Sequence, residues 1–303
     1  ALVSEYEAYL ASLVRILAHH NPDILISSDE KISVSRLKEY SSFEEFMDDL
    51  IDEKIASLMQ EKNHYQMLEW LGEKFSVNLT SDQNIIGDFV EICQRRHLIA
   101  HGGGVVNRKY LEVCRKYNCN SKDLPSYGEE VSVSRKYLRR ATARVYQVGI
   151  FSLHIIWQKV LSSQRKRSYD NLLKISHDFL ENDLTKMSRR ICDFVLNSKS
   201  ELSGRTKAYF VINLAQSYLF ERDLEDEHRS RKVEAALRKH DWSITSPTVD
   251  LALACLRRDY SNLEMLTEKA IADGLSYTDA ATWSIFREIR DHQAFLPSFS
   301  GKG

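Results

Sequence analysis

Residues 94–111 read QRRHLIAHGGGVVNRKYL and contain the end of a predicted helix. Helical periodicity runs over residues 82–101 and stops at three consecutive glycines, residues 102–104. Glycines directly after a helix are typical of a C-terminal cap and a reversal of the chain. A phosphate-binding loop has its glycines between a strand and the start of a helix, so the order here excludes a P-loop and a dinucleotide-binding fingerprint.

The same periodicity covers most of the chain and predicts an all-α fold. Only 4 of the 303 residues are Pro and 11 are Gly, which favours long helices. Ser81 or Asp82 is the expected cap of the third helix and Ser134 that of the fourth. A connection with a short helix and a polar middle joins these two. We expect a compact bundle whose main helices cover 2–18, 43–74, 82–101 and 134–162.

A polar, basic segment over 162–171 is interpreted as a linker, which divides the chain into domains at 1–165 and 166–303. The later helices are shorter and come in pairs, with small and large apolar residues alternating. This pattern predicts a helical-repeat-like region, loosely similar to tetratricopeptide repeats, and an irregular helical extension is the alternative. The predicted helices cover 171–182, 183–198, 203–221, 228–239, 247–258, 260–272 and 276–289.

Composition favours a cytoplasmic protein without a membrane span. The five cysteines are scattered and odd in number, as in proteins of a reducing compartment. No apolar run reaches the roughly 18 residues that a membrane helix needs, and the first residues form an amphipathic helix rather than a signal peptide. The chain does not start with Met, which we interpret as the mark of a processed chain or of a fragment of a longer protein.

The net charge of −1 averages two opposite regions. Residues 29–91 hold 15 Asp or Glu against 6 Lys or Arg, whereas residues 107–174 hold 15 Lys or Arg against 5 Asp or Glu. A basic tract of this size fits a polyanion such as RNA, or it docks on the acidic tract of the same chain.

No metal and no cofactor is expected. His97 and His101 have the i, i+4 spacing of zinc ligands, but Leu98 occupies the position of the general-base Glu of zinc proteases. Cys114 and Cys119 have no other ligand type close by in the sequence.

The six residues Arg96-His97-Leu98-Ile99-Ala100-His101 resemble the R-x4–6-H signature of HEPN domains, including the polar residue directly after the arginine. The continuation GGGVVNRKYL resembles the extended motif of bacterial HEPN families of the RiboL-PSP type. The aromatic-rich first helix, LVSEYEAYLASLVRIL, is similar to that of the same group. The resemblance covers residues 1–162 and says little about residues 170–303.

This resemblance implies metal-independent cleavage of RNA. A histidine, His101, would take the proton of a ribose 2′-OH or donate one to the leaving 5′-oxygen, and Arg96 would bind the phosphate. The products would be a 2′,3′-cyclic phosphate and a 5′-OH. The negative end of the helix dipole favours the charged form of His101, while it makes a cation beside the phosphate necessary.

Their spacing alone does not place Arg96 and His101 on the same face of a helix, because five residues correspond to a rotation of about 140° on an ideal helix. Members of the family dimerise, so we expect a homodimer with a composite active site. Arg95 also fits the motif as the arginine. His97 is expected to support the site or contact substrate, and Asn107 and Tyr110 to hold the loop. Glu91 is expected on the solvated face, with orientation of Arg96 as its alternative.

The fourth predicted helix carries a basic band formed by Arg135, Lys136, Arg139, Arg140 and Arg144. Such a band fits RNA backbone binding with a steep salt dependence. Neutralisation of the acidic second helix explains it equally well.

The family resemblance implies a toxin or antiphage defence effector. Residues 166–303 are expected to bind a partner protein, to sense a trigger or to restrain the nuclease. Two alternatives stay open. One is a non-catalytic HEPN-like scaffold that binds RNA, a nucleotide or a protein. The other is an antitoxin-type or adaptor subunit of a separate enzyme.

Overall fold

The computed structural model describes residues 1–120, 124–198 and 202–299. The middle of the predicted connection includes residues 121–123, which lie outside this range. Fourteen α-helices form in the described residues: α1 (Leu2–His20), α2 (Val34–Leu37), α3 (Phe43–Glu61), α4 (His64–Phe75), α5 (Gln83–His101), α6 (Arg108–Lys116), α7 (Arg135–Val160), α8 (Arg165–Glu181), α9 (Thr185–Leu196), α10 (Gly204–Leu219), α11 (Asp226–Leu237), α12 (Pro247–Arg257), α13 (Leu263–Ala272) and α14 (Tyr277–Thr282).

The predicted all-α fold is confirmed. No β-strand forms within the described ranges, where one isolated antiparallel bridge joins Val105 to Glu130. None of the helices described is both long and apolar enough to cross a bilayer.

The chain divides into two compact units, Ala1–Ser162 and Ser163–Gly303. The sequence placed this division between residues 165 and 166. In the first unit α5 packs against α4, α6 and α7, and α1 packs against α3 and α7. The Tyr9 hydroxyl ties α1 to α7 by donating to the Gly149 carbonyl at 2.8 Å. Leu10, Leu68 and Phe89 are fully buried in the common core.

The structure differs from the sequence prediction in the second predicted helix and in the linker. The helix predicted over 43–74 is interrupted, because Asn63 caps a new helix by accepting from the Gln66 backbone N–H while the Gln66 side chain accepts from Asn63. The linker predicted over 162–171 is wrong from Arg165 onward. Tyr169 and Leu172 are buried positions of α8, so the polar segment forms that helix's first turns.

In the second unit α8 packs against α9, α9 against α10, α10 against α11 and α12 against α13. Helix α10 also contacts α8 and α12, and its residues from Phe210 to Ser217 are all buried. Its polar side chains are bonded inside the unit: Asn213 donates to the Ser176 hydroxyl at 2.8 Å. The last predicted helix, 276–289, ends early, at Thr282.

Candidate active site at the end of helix α5

Helix α5 begins and ends where its sequence signals place it. Asp82 caps the first turn by accepting from the N–H groups of Asn84 and Ile85. Gly102 is the C-cap, and Gly103 and Gly104 have φ values of +62° and +77°. This left-handed backbone is open to glycine without strain, and it turns the chain back so that the Gly104 N–H reaches the Leu98 carbonyl at 3.0 Å.

The returning chain is fixed by backbone hydrogen bonds to residues 128–131. Val131 donates to the Gly104 carbonyl at 2.8 Å, and Val106 donates to Glu129 at 2.8 Å. Asn107 then starts α6, since its side chain accepts from the Tyr110 N–H at 2.9 Å. These hydrogen bonds tie down the loop that follows the motif, and His101 and the two glycines after it are exposed.

Arg95 lies in a buried polar network. Its Nε donates to Glu91 at 2.7 Å and its guanidinium donates to the Ser132 carbonyl at 2.8 Å. Glu91 also accepts from the hydroxyls of Tyr110 at 2.7 Å and Tyr137 at 2.9 Å. Burial, reinforced by the Glu91 charge, raises the pKa of both phenols, so they stay protonated and donate. Glu91 was expected on the solvated face; it is buried, and it orients Arg95 rather than Arg96.

Arg96, in contrast, keeps 40% of its side chain exposed. One of its guanidinium nitrogens lies 3.7 Å from a carboxylate oxygen of Glu7 on α1. The other carboxylate oxygen of Glu7 lies 3.0 Å from Nε2 of His64 on α4. The sequence analysis singled out neither Glu7 nor His64, because both are distant in the chain from the motif.

His97 and His101 form an exposed pair at the last turn of α5. Their ring centroids are 5.0 Å apart and the ring planes are inclined by 52°. The structure thus brings His101 together with His97, and Arg96 together with Glu7. Among the described residues, no group of three or more His, Cys, Asp or Glu side chains has an arrangement suited to a metal ion.

The basic band of α7 divides into two kinds of residue. Arg144 is mostly buried and donates twice to Asp88 of α5, at 2.6 and 3.1 Å. Arg140 lies over the Tyr137 ring at 5.6 Å. Arg135, Lys136 and Arg139 are exposed, and no carboxylate of the described chain lies within ion-pair distance of them.

The acidic helix α3 finds its partners elsewhere in the first unit. Arg15 of α1 pairs with Asp52, and Arg36 of α2 lies 2.5 Å from Glu53. Lys54 of α3 itself pairs with Glu30 at 2.7 Å. Among the described residues, no ion pair joins α3 to the basic residues of α7. Neutralisation of α3, one of the two explanations of the basic band, is therefore not seen in this part of the chain.

The second unit contains an open groove of about 1250 Å³. Three aromatic side chains, Tyr209, Trp242 and Trp283, line it together with Lys174 and Arg205. The groove is larger than the roughly 300–1,000 Å³ of typical small-molecule pockets, and its lining is more polar.

Comparisons of the chain with protein-family models, with curated proteins and with solved structures give no match.

Proposed function

We propose that the chain is a metal-independent endoribonuclease of the HEPN type. It cuts RNA by attack of a ribose 2′-OH on the adjacent phosphate, which leaves a 2′,3′-cyclic phosphate and a 5′-OH. The observation that carries the proposal is that Arg96 and His101 are both accessible at the open end of α5, whereas the neighbouring Arg95 is buried in the fold.

The residue types match the steps of this reaction. Imidazole exchanges protons near neutral pH, which suits both removal of the 2′-OH proton and protonation of the 5′-oxygen. The guanidinium of Arg96 binds phosphate oxygens and balances the charge that builds on them. The C-terminal end of α5 carries the negative end of the helix dipole, which makes a cation such as Arg96 necessary beside a bound phosphate.

A homodimer supplies what one copy lacks. Arg96 lies toward Glu7 and His101 toward His97, and about 140° of helix rotation separate Arg96 from His101. Two apolar side chains beside the motif, Ile99 and Val105, are 48% and 45% exposed. Their burial between two copies would line up two motifs along one cleft.

The biological role that we propose is that of a cytoplasmic toxin or antiphage effector. Support comes from the family that the motif resembles. The groove of the second unit, lined by Tyr209, Trp242 and Trp283, is where a partner protein or trigger would bind and control the nuclease.

The test is cleavage of total RNA and tRNA in EDTA by wild-type protein and by Arg96→Ala and His101→Ala. We expect cyclic-phosphate ends from wild type and a loss of about 100-fold or more in each variant. Arg231→Ala is the matched control, since this exposed arginine of α11 has Glu227 of its own helix as its ion-pair partner among the described residues. Equal cleavage by all variants would refute the site.

A second candidate function is a non-catalytic HEPN-like scaffold. The Glu7 carboxylate beside Arg96 favours it, because a paired arginine attracts phosphate less strongly than a free one. RNA binding without cleavage by the wild-type protein, unchanged in His101→Ala, would support the scaffold.

A further inference from the structure

The groove of the second unit is lined by one face of each of two helices. Helix α8 contributes Asp170 and Lys174, and α10 contributes Arg205, Tyr209 and Asn213, in each case at intervals of four residues. The chain between α11 and α12 and the residues around α14 complete the lining. All these elements belong to one compact unit, so the groove is formed within that unit.

Carboxylates dominate the charge of the groove. Its lining contains one lysine, one arginine and four aspartates, which are Asp170, Asp241, Asp273 and Asp279. In the described part of the chain, no Lys or Arg lies within ion-pair distance of these four. Elsewhere in the unit, Glu221 pairs with Arg189 at 3.3 Å and Glu288 with Arg258 at 2.6 Å. The groove therefore attracts a cation and repels a phosphate.

Asn213 supplies a hydrogen-bond acceptor to the groove although it is only 3% exposed. Its Nδ2 donates to the Ser176 hydroxyl at 2.8 Å, and that hydroxyl donates to the Leu173 carbonyl at 2.7 Å. Because its proton is used there, Ser176 can only accept from Asn213, which fixes the orientation of the amide. Oδ1 accepts no hydrogen bond from the described residues, and it is not sealed from solvent. A donor in the groove can therefore reach it.

Aromatic side chains form the apolar part of the lining. The rings of Tyr209 and Trp283 lie 6.3 Å apart between centroids, and Trp242 is held by its indole N–H, which donates to the Leu237 carbonyl at 2.8 Å. All three are half-buried. The Arg205 guanidinium lies 5.9 Å from the centre of the Tyr209 ring, so the groove already holds one guanidinium near an aromatic face. Aromatic faces and carboxylates together suit an arginine side chain.

The size of the groove favours an occupant larger than a single arginine. Its volume of about 1250 Å³ exceeds that of typical small-molecule pockets. Ile244, which follows Trp242 by two residues and also lines the groove, is 91% exposed. A polypeptide segment covers such apolar side chains while its cations reach the aspartates, and an isolated cation does not.

We propose that this groove binds an arginine-bearing segment of a partner protein. The guanidinium packs on the aromatic side chains and donates to the aspartates and to Asn213 Oδ1. Lys174 and Arg205 bind carbonyl or carboxylate oxygens of the same segment. The inference names the chemistry of the partner that the proposed function places at the groove. Control of cleavage by this partner rests on the proposed nuclease, whereas binding of the segment does not.

The first test measures binding of a fluorescein-labelled peptide of alternating arginine and serine to the full chain by fluorescence anisotropy. Matched peptides carry citrulline, which keeps the shape of arginine without its charge, or glutamate. We expect saturable binding of the arginine peptide and binding weaker by about tenfold or more with citrulline. Failure of the arginine peptide to bind overturns the proposal.

Two further results would assign the groove to another ligand. Tighter binding of the glutamate peptide or of inorganic phosphate overturns the proposal, because the groove would then be an anion site of Lys174 and Arg205. Displacement of the arginine peptide by free arginine at the same concentration as by unlabelled peptide overturns the polypeptide occupant.

The second test locates the binding, since the acidic helix α3 of the first unit also attracts a basic peptide. Asp170→Asn and Asp273→Asn remove one charge each from exposed positions of the groove. We expect each to weaken binding of the arginine peptide about fivefold. Asp291→Asn is the matched control, an exposed aspartate outside the groove, and should leave the affinity unchanged. Wild-type affinity in both groove variants overturns the site.

These outcomes are distinguishable from failure of the nuclease. A wild-type protein that cuts no RNA but binds the arginine peptide in the groove leaves the binding proposal standing. A peptide that binds the groove and leaves the rate of RNA cleavage unchanged overturns the controlling role of the partner alone.

Discussion

Arg95 donates to Glu91 at 2.7 Å, and the side chains of both are more than nine-tenths buried. Arg96, the next residue, turns about 100° further around α5 and keeps 40% of its side chain exposed. Two adjacent arginines of one motif therefore have different tasks. Arg95 connects α5 to the chain around Ser132, and Arg96 faces solvent, where a phosphate can reach it.

Arg95→Ala is expected to lower the free energy of unfolding by about 3–5 kcal/mol, because it leaves the Glu91 carboxylate buried without its cation. Arg96→Ala, the matched control, is expected to change it by no more than about 0.5 kcal/mol. Urea unfolding monitored by circular dichroism measures both. A loss below about 1 kcal/mol in Arg95→Ala would show that the two tyrosine hydroxyls suffice for Glu91.

Gly103→Ala is expected to cost about 1–2 kcal/mol, because φ at this position is +62° while nothing lies within 4 Å of an added Cβ. The cost is conformational alone. Gly204→Ala is the control: it has equal space, it lies at the start of α10 without a positive φ, and it is expected to be neutral or stabilising. Thermal unfolding of both variants makes the comparison. Equal melting temperatures would contradict the requirement for glycine at the end of α5.

The first and last residues of helix α5 could be predicted from the sequence, because the signals that set them are local. The Asp82 cap and the glycine stop lie within a few residues of the turns that they shape. The break at Asn63 also has a local signal, the capping box that Asn63 forms with Gln66. The helical spacing of apolar residues continues across Asn63, however, and therefore predicted one uninterrupted helix. The linker prediction relied on polar composition, which does not distinguish a loop from an exposed helical face.

The side-chain partners of the site could not be predicted, because they come from distant parts of the chain. His64 is 57 positions from Glu7 in sequence, and Tyr137 is 46 positions from Glu91. A glutamate on a helix is most often solvated, and the burial of Glu91 depends on where α6 and α7 pack. Sequence spacing therefore found the motif, while the tertiary fold decides which arginine is accessible.

The stability of the protein is expected to fall as pH drops from about 7 to 5, partly through His64. Burial lowers the pKa of His64 in the folded state below 6.5, so the unfolded chain binds more protons over this range. The protonation of His64 in the unfolded chain therefore lowers stability as the pH falls below about 6.5. The free energy of unfolding in urea should decrease less between pH 7 and 5 in His64→Gln than in wild type. Some decrease should remain, because the pKa of His240 is also lowered by burial and this variant retains His240. Identical pH profiles would contradict this account.

The exposed residues of α7 give the sharpest test of RNA binding. Arg135, Lys136 and Arg139 have no carboxylate partner in the described chain, so they are available for phosphates. Each phosphate contact on a single strand contributes about 0.7 to the slope of log affinity against log salt. Substitution of all three by Gln should therefore reduce that slope by about 2. Fluorescence anisotropy with a 2′-O-methyl RNA, which lacks the attacking hydroxyl, measures it without cleavage.

Arg144→Gln is the control within the same helix. Because Arg144 is paired with Asp88 at 2.6 Å and mostly buried, its loss should lower unfolding stability and leave the salt slope unchanged. If the triple variant keeps the wild-type slope, the exposed band does not contact RNA. If Arg144→Gln alone reduces the slope, the pair with Asp88 opens on binding, and the RNA path must run further along α7 than the three exposed residues indicate.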